Sequence, residues 1–419
     1  MVTLHKMSDR DLSARGAKLV DSPPLAGYLL EHFTHGDDAW DAEQNPDGYI
    51  ALCVAENRSM WDVLLPQLAS YRDVPERVLG YDAMIGSLAF RERLAAFMSR
   101  TFLGRTISAD QLAVVAGAGA VLELLFHALA DPGDGVLIPT PSYAGFWPDL
   151  ETRDGLRVVP VHCSSAEGFR LTTQALDRAV ATAEVPIKAL LFTTPNNPLG
   201  CVYTREELLE ILEWSTRAGI HVVFDEIYAL SVFGERPFVS AAGLRDPLGP
   251  RVHVVWAFSK DFGASGLRCG VLWTENQAVL RAVDALAYWA SCSGDTQHLL
   301  GALIDDREFV DRYIVQMRAR LREIYADVGE ALARHRITHL PAEAGFFVIC
   351  DLRPWLDEPS WAAEDRLWRR IVDEANVNLT PGSACRIVEP GWFRLCFASA
   401  PHAAVLAAID RIGGVLSAR

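Results

Sequence analysis

Between Gly80 and Leu303 the chain alternates short apolar runs with longer stretches of mixed character. The runs "GVLIP", "LRVVPV", "KALLFTTP", "IHVVFDEIY", "HVVWAFS" and "CGVLWT" predict short buried strands. Between them, "TREELLEILEWSTRAG" has apolar positions at helical spacing and ends in a glycine, the expected stop of an amphipathic helix. Strand–helix–strand alternation of this kind predicts an α/β fold, a mostly parallel sheet with helices on both faces.

The rhythm changes after Asp306. "REFVDRYIVQMRARLREIYADVGEALARH" reads as one long helix, followed by a smaller α+β region that contains "FFVICDL" and "WFRLCFAS". The first sixty-odd residues lack the alternation and are expected to pack against that C-terminal region. The expected division is residues 1–65 joining a small domain, 66–305 forming a large domain, and 306–419 completing the small one. A cleft would lie between them, and ligand sites in such sheets lie at the carboxyl ends of the strands.

Composition narrows the function classes. The chain has 419 residues, half of them hydrophobic, enough for a large core. Its eight cysteines include no C-x-x-C pair and sit mostly in apolar runs, which suggests free thiols in a reducing compartment. The formal charge of −15 argues against nucleic acid as a partner. No stretch is apolar and long enough to span a bilayer, and "MVTLHKMSDRDLSARG" has no signal-peptide core. A cytoplasmic location is the expectation. The i, i+4 pair His335 and His339 has no acidic residue between its members, and no metal site is proposed.

Chemistry gathers at the predicted strand ends. "AFSKDFGASGLRCG" (257–270) places Lys260 after an apolar run and Arg268 after a series of small residues. A lysine crowded in this way is a candidate amine nucleophile, and the arginine could hold an anion, although a solvent-facing loop would use the same residues. "FTTPNNPLG" (192–200) ends with Asn196 and Asn197, and "VVFDEIY" (222–228) with Asp225, Glu226 and Tyr228. Turn and solvated-end readings stand beside functional ones for both. The glycine-rich "VVAGAGAV" opens a helix whose first N–H groups could bind phosphate or simply allow close packing.

Taken in order, the Gly-rich helix start, "PSY", "PNNPLG", "DEIY", "SKDFGASGLR" and "WFRLCF" resemble the pyridoxal 5'-phosphate (PLP) enzymes of the aspartate aminotransferase fold. The resemblance implies PLP fold type I, with a large domain around a seven-stranded-type sheet and a small domain made from both termini. It implies that Lys260 is the Schiff-base lysine and the base for the Cα proton. Asp225 would keep the pyridine nitrogen protonated, and Asn197 and Tyr228 would bond the ring phenolate oxygen. Tyr143 would stack on the ring. Ala118, Gly119, Ser259 and Arg268 would hold the phosphate, and Arg394 would clamp the substrate α-carboxylate.

Finer motifs are similar to those of 1-aminocyclopropane-1-carboxylate (ACC) synthases. They are "LCVAENRSMWDVL" (52–64), "GSLAFRERLAAFM" (86–98), "DTQHLLGALIDD" (295–306), "EAGFFVICDLRPWL" (343–356) and "LTPGSACRIVEPGWFRLCFA" (379–398). That likeness implies S-adenosylmethionine as substrate, with Ala55 and Glu56 near it, loss of methylthioadenosine from Cγ, and a homodimer with shared active sites. "DTQHLL" is a candidate dimer contact or an ordinary helix start. Where the family has D-Y-H-G, this chain has Met84 and Ile85, and Ala257 and Gly119 replace hydroxyl residues. These departures make the outcome either ACC or a vinylglycine-type quinonoid trapped by a second substrate, by γ-replacement or annulation, in specialised biosynthesis. An aminotransferase needs the same Lys260, Asp225 and Arg394 and is the alternative.

Overall fold

A computed structural model describes residues 12–418; residues 1–11 of the expected N-terminal segment, and Arg419, lie outside the described residues. Its main feature is a seven-stranded sheet in the spatial order Leu112–Val115, Gly270–Thr274, Val252–Ala257, His221–Asp225, Ile187–Thr193, Gly135–Thr140, Arg157–His162. The last five in that order run parallel, while Gly270–Thr274 is antiparallel to both of its neighbours. The fold is therefore α/β, and the expected strands are present. Leu112–Val115 is an addition, hidden in the sequence because its apolar run merges into "AGAGA".

Helix Arg205–Ala218 shows why the polar pattern places the ends where it does. Thr204 and Glu207 form a reciprocal capping box, and Gly219 ends the helix at φ +72°. The long helix Arg307–Arg334 turns Phe309, Val310, Tyr313, Met317 and Leu321 inward. Tyr313 stacks on Phe262 with ring centroids 5.1 Å apart, which ties this helix to the segment just after Lys260.

Beyond that helix, a four-stranded sheet has the order Thr380–Pro381, Trp392–Cys396, Phe347–Asp351, Thr338–His339. The early pair Ile50–Ala51 runs parallel to Val377–Asn378. An early segment of the chain thus pairs with the C-terminal region. The cysteines are free thiols; seven are buried and Cys201 is half-buried. Among the described residues no helix is long and apolar enough to cross a membrane, and no His/Cys/Asp/Glu cluster has the arrangement of a metal site.

The "DTQHLL" stretch opens helix Gly294–Asp305, capped by Ser293, and directs its polar side chains into its own chain. Asp295 pairs with Arg72 at 3.0 Å, Gln297 accepts from the Ser87 N–H at 2.9 Å, and His298 meets Asp73 at 2.6 Å. The stretch is a helix start in this chain.

Candidate active site

The carboxyl ends of the parallel strands bring the sequence-identified residues to one side of the sheet. Helix Ala118–Leu129 begins after Gly117, whose φ of +97° suits glycine, and no side chain caps it. The first N–H groups, those of Ala118 and Gly119 included, have no acceptor within the helix, and this is its positive end. Arg268 lies against that start: its Nη2 donates to the Ala116 carbonyl at 3.3 Å and its Nη1 to the Ser265 carbonyl at 3.1 Å. A Cβ on Gly117 would stand 2.6 Å from Arg268 Nη2, so the glycine makes this approach possible. Ser259 is buried one residue before Lys260. At Gly119 a Cβ would meet nothing within 4 Å, so packing does not require glycine there.

Asp225 ends its strand buried, and among the described residues its carboxylate accepts only from the Ile227 N–H at 3.3 Å. Burial pushes its carboxyl up to about 7, against the Ile227 hydrogen bond and the Lys260 charge, which pull it down. A cationic ring nitrogen placed beside it would reverse that balance. Asn197 and Tyr228 are also buried, with Asn197 Nδ2 donating to Tyr228 Oη at 3.1 Å. Tyr143 stands at the mouth, about one-third exposed, its ring edge-on to Phe146 at 5.3 Å. The ring lies over Gly145, where any Cβ would collide with it.

Lys260 lies on the short helix Phe258–Asp261, one turn past the strand Val252–Ala257 rather than at the strand end itself. The helix is held by Asp261, whose buried carboxylate accepts from the Leu230 N–H at 3.0 Å, Ser231 Oγ at 2.6 Å and Trp256 Nε1 at 2.8 Å. Lys260 Nζ donates to the Ala55 carbonyl at 2.6 Å. Burial lowers the ammonium to about 8, and Arg394 pushes the same way, while Cys396, Glu56 and Asp225 oppose. A substantial neutral fraction at physiological pH follows, as an amine base requires.

Arg394, on the strand Trp392–Cys396, is fully buried. Its Nη1 donates to Asn197 Oδ1 at 3.1 Å, and its Nη2 to the Cys53 carbonyl at 2.6 Å and Thr380 Oγ1 at 3.0 Å. A guanidinium can only donate, so this contact fixes which way the Asn197 amide points. Among the described residues Nε is buried without an acceptor, and a bound carboxylate would satisfy such a donor. Glu56 comes near Lys260 but is held by Arg58 Nε at 2.7 Å. Ile85 packs in this chain's own core and Met84 packs partly against it.

Helix-start N–H groups with an arginine, a buried carboxylate, an amide–phenol pair and a desolvated lysine form a donor set that fits PLP. Comparison with known proteins gives the class. The chain belongs to the aminotransferase class I and II family, whose pattern matches residues 50–412. It is 39% identical to 1-aminocyclopropane-1-carboxylate synthase 4 of Oryza sativa subsp. japonica, over 95% of this chain and 87% of that one. Its identity to 1-aminocyclopropane-1-carboxylate synthase 7 of Arabidopsis thaliana is 35%, over 94% and 91%. Among solved structures, the aspartate aminotransferase of Rhizobium meliloti superposes with a TM-score of 0.78 at 21% identity, covering 97% of this chain and 98% of that one. The protein is a PLP-dependent enzyme of the lyase and transferase type, related to ACC synthases.

Sequence reasoning missed Thr380, the Cys53 carbonyl and Asp261. Only Asp261 had a signal, its place beside Lys260. It also missed Gly270, where a Cβ would fall 2.4 Å from the Gly117 carbonyl carbon and 2.7 Å from the Ala118 nitrogen. Gly270→Ala should destabilise the apoprotein by roughly 1–3 kcal/mol through overpacking and weaken PLP binding. Urea unfolding and equilibrium dialysis with PLP would check both.

Proposed function

We propose that the enzyme acts on S-adenosylmethionine, removing the Cα proton and expelling methylthioadenosine from Cγ. The observation that carries this reading is Lys260, Asp225 and Arg394 on one side of the sheet, in a chain whose relatives are named ACC synthases. PLP, when bound, supplies the electron sink for the Cα carbanion. Arg394 holds the α-carboxylate, and neutral Lys260 takes the Cα proton. The C–S bond then breaks with its electron pair leaving on sulfur, which neutralises the sulfonium. For ACC the Cα electron pair closes onto Cγ as that bond breaks; for the vinylglycine-type unit a base also removes a Cβ proton, whose electron pair expels the sulfur, and a second substrate then adds by γ-replacement or annulation. Replacement of the family tyrosine and histidine by Met84 and Ile85 favours keeping the trapped outcome in view.

Asp225 holds the ring nitrogen protonated in this reading, with Asn197 and Tyr228 on the phenolate oxygen and Tyr143 on the ring face. Ala118, Gly119, Ser259 and Arg268 hold the phosphate, and Ala55 and Glu56 flank the substrate. The proposal includes a cytoplasmic homodimer with shared sites and the domain division at residues 65 and 305. Tyr81, 97% exposed, and Trp289, 74% exposed, are apolar surface of the kind a dimer would cover. Light scattering would test the dimer and limited proteolysis the boundaries.

Mass-spectrometric product analysis of the PLP-loaded enzyme with S-adenosylmethionine tests the reaction. Methylthioadenosine with ACC, or with vinylglycine or 2-oxobutyrate, supports it and says which branch is followed. Absence of methylthioadenosine, together with amino exchange onto 2-oxo acids, would instead establish the aminotransferase reading, which needs the same Lys260, Asp225 and Arg394. Arg394→Lys should raise KM for the amino-acid substrate about 100-fold with a smaller change in kcat, since an ammonium cannot reproduce the two-pronged grip. Initial-rate kinetics would show it.

A further inference from the structure

Asp261 follows Lys260 in the chain and is fully buried. One of its oxygens, Oδ2, accepts from both the Leu230 N–H and Trp256 Nε1, and the other, Oδ1, accepts from the Ser231 hydroxyl. Leu230 and Ser231 belong to the turns that follow Asp225. There the Ala229 N–H donates to the Glu226 carbonyl at 3.0 Å, and the Ser231 N–H to the Tyr228 carbonyl at 3.1 Å. The carboxylate therefore joins the segment that bears Lys260 to the segment that bears Asp225 and Tyr228.

Each donor is held in turn by a second contact. Arg318 Nε donates to the Leu230 carbonyl at 2.9 Å, and the Gly345 N–H to the Ser231 carbonyl at 3.0 Å. The Trp256 indole packs against Phe258 and Phe97, with ring centroids 4.8 and 5.7 Å away. The Lys260 turn is also gripped by the early segment of the chain. Trp61 Nε1 donates to the Gly263 carbonyl at 2.9 Å, and a Cβ on Gly263 would stand 2.1 Å from the Asn57 carbonyl oxygen. Burial pushes the Asp261 carboxyl up to about 6, against the three hydrogen bonds and the Arg318 charge, which pull it down. An apolar residue of similar size would fill the space without that desolvation cost, so stability alone does not call for a carboxylate. What the carboxylate adds is direction, because three donors converge on two oxygens.

We infer that Asp261 is a positioning residue for the reaction. Its hydrogen bonds fix the offset between the Lys260 turn and the Asp225–Tyr228 segment, and so the point at which the Lys260 amine meets the PLP carbonyl carbon and the substrate Cα. The role lies in the bonds and not in the charge. This rests on the reading that Lys260 is the lysine to which the coenzyme attaches.

Asp261→Asn and Asp261→Ala separate the bonds from the charge. Asparagine keeps the shape: its amide oxygen can accept from Leu230 and Trp256, and its amide N–H can donate to Ser231 Oγ. Alanine removes all three bonds. Ser231→Ala removes one and leaves Asp261 in place, so the test stands even where Asp261→Ala does not fold. Two coenzyme forms serve as probes of the apoproteins. PLP must meet the lysine to form a C=N bond with loss of water, whereas pyridoxamine 5'-phosphate binds without that bond. By stopped-flow absorbance, attachment of PLP should slow about 100-fold in Asp261→Ala and about 10-fold in Ser231→Ala, the scale of a misplaced reacting group. Asp261→Asn should stay within about 3-fold of the wild type, since its bonds are kept. The Kd of pyridoxamine 5'-phosphate should change less than about 3-fold in every variant. Equal losses with both probes would mean a merely structural role and would overturn the inference. So would unchanged attachment in Ser231→Ala, or Asp261→Asn as slow as Asp261→Ala. Failure of the Lys260 reading shows separately, as borohydride-fixed coenzyme on another residue of the wild type.

Discussion

Lys260→Ala is expected to lower kcat by about 10⁴-fold or more while leaving the protein folded. The side chain stands to lose both the covalent anchor of the coenzyme and the proton acceptor at Cα. Among the described residues it makes one hydrogen bond, to the Ala55 carbonyl, so its removal should cost little stability. The chain has only four lysines, and Lys188 stands near the opposite end of its parallel strand, exposed and 3.9 Å from Asp134. Borohydride reduction followed by peptide mapping should place the coenzyme on Lys260 in the wild type and on no residue in the variant. Coenzyme attached to another lysine would overturn the assignment.

Asp225→Asn should have two opposite effects. Activity should fall by about 10²–10³-fold, because a neutral amide removes an opposite charge able to shift the ring nitrogen by one to three pKa units. The apoprotein should become more stable above neutral pH. The carboxyl is pushed up to about 7 by burial, from an ordinary value of 3.8. Between those values the folded chain binds more protons than the unfolded one, so stability falls as pH rises from about 4 to 7. Ionised Asp225 then costs the apoprotein roughly 4 kcal/mol above that range, and asparagine avoids the cost. Lys260 acts in the other direction at higher pH. It is lowered to about 8 from 10.5, so the unfolded chain binds more protons there and stability rises between those values. Urea unfolding of the two apoproteins from pH 5 to 9 would show the curves diverging. Parallel curves would mean that Asp225 is ionised in the apoprotein throughout.

What could be read in advance followed from chain direction. Parallel strands bring their carboxyl ends to one side, so Asn197, Asp225 and Lys260 could be grouped by reading the residue after each apolar run. Arg268 and the Ala118 helix start joined them through glycines whose spacing matched a known family. The remainder had no sequence signature. The grip on Arg394 uses a backbone carbonyl at Cys53 and a hydroxyl at Thr380, and neither residue type marks such a role. The place of Lys260 on a helical turn depends on Asp261 bonding across to residues 230 and 231, a long-range contact that local pattern does not encode.

The pairing of Ile50–Ala51 with Val377–Asn378 sets an order of events during synthesis. The proposed coenzyme contacts fall between residues 118 and 268, in one stretch of chain that can pair strand to strand as it emerges from the ribosome. Arg394 and the Cys53 carbonyl are 341 positions apart. Until the later partners are made, the early segment has no strand to join and the Cys53 carbonyl no arginine to bond. A nascent chain stalled just before Val377, with the helix Arg307–Arg334 already outside the ribosome, should therefore take up PLP yet show no preference for ligands with a carboxylate.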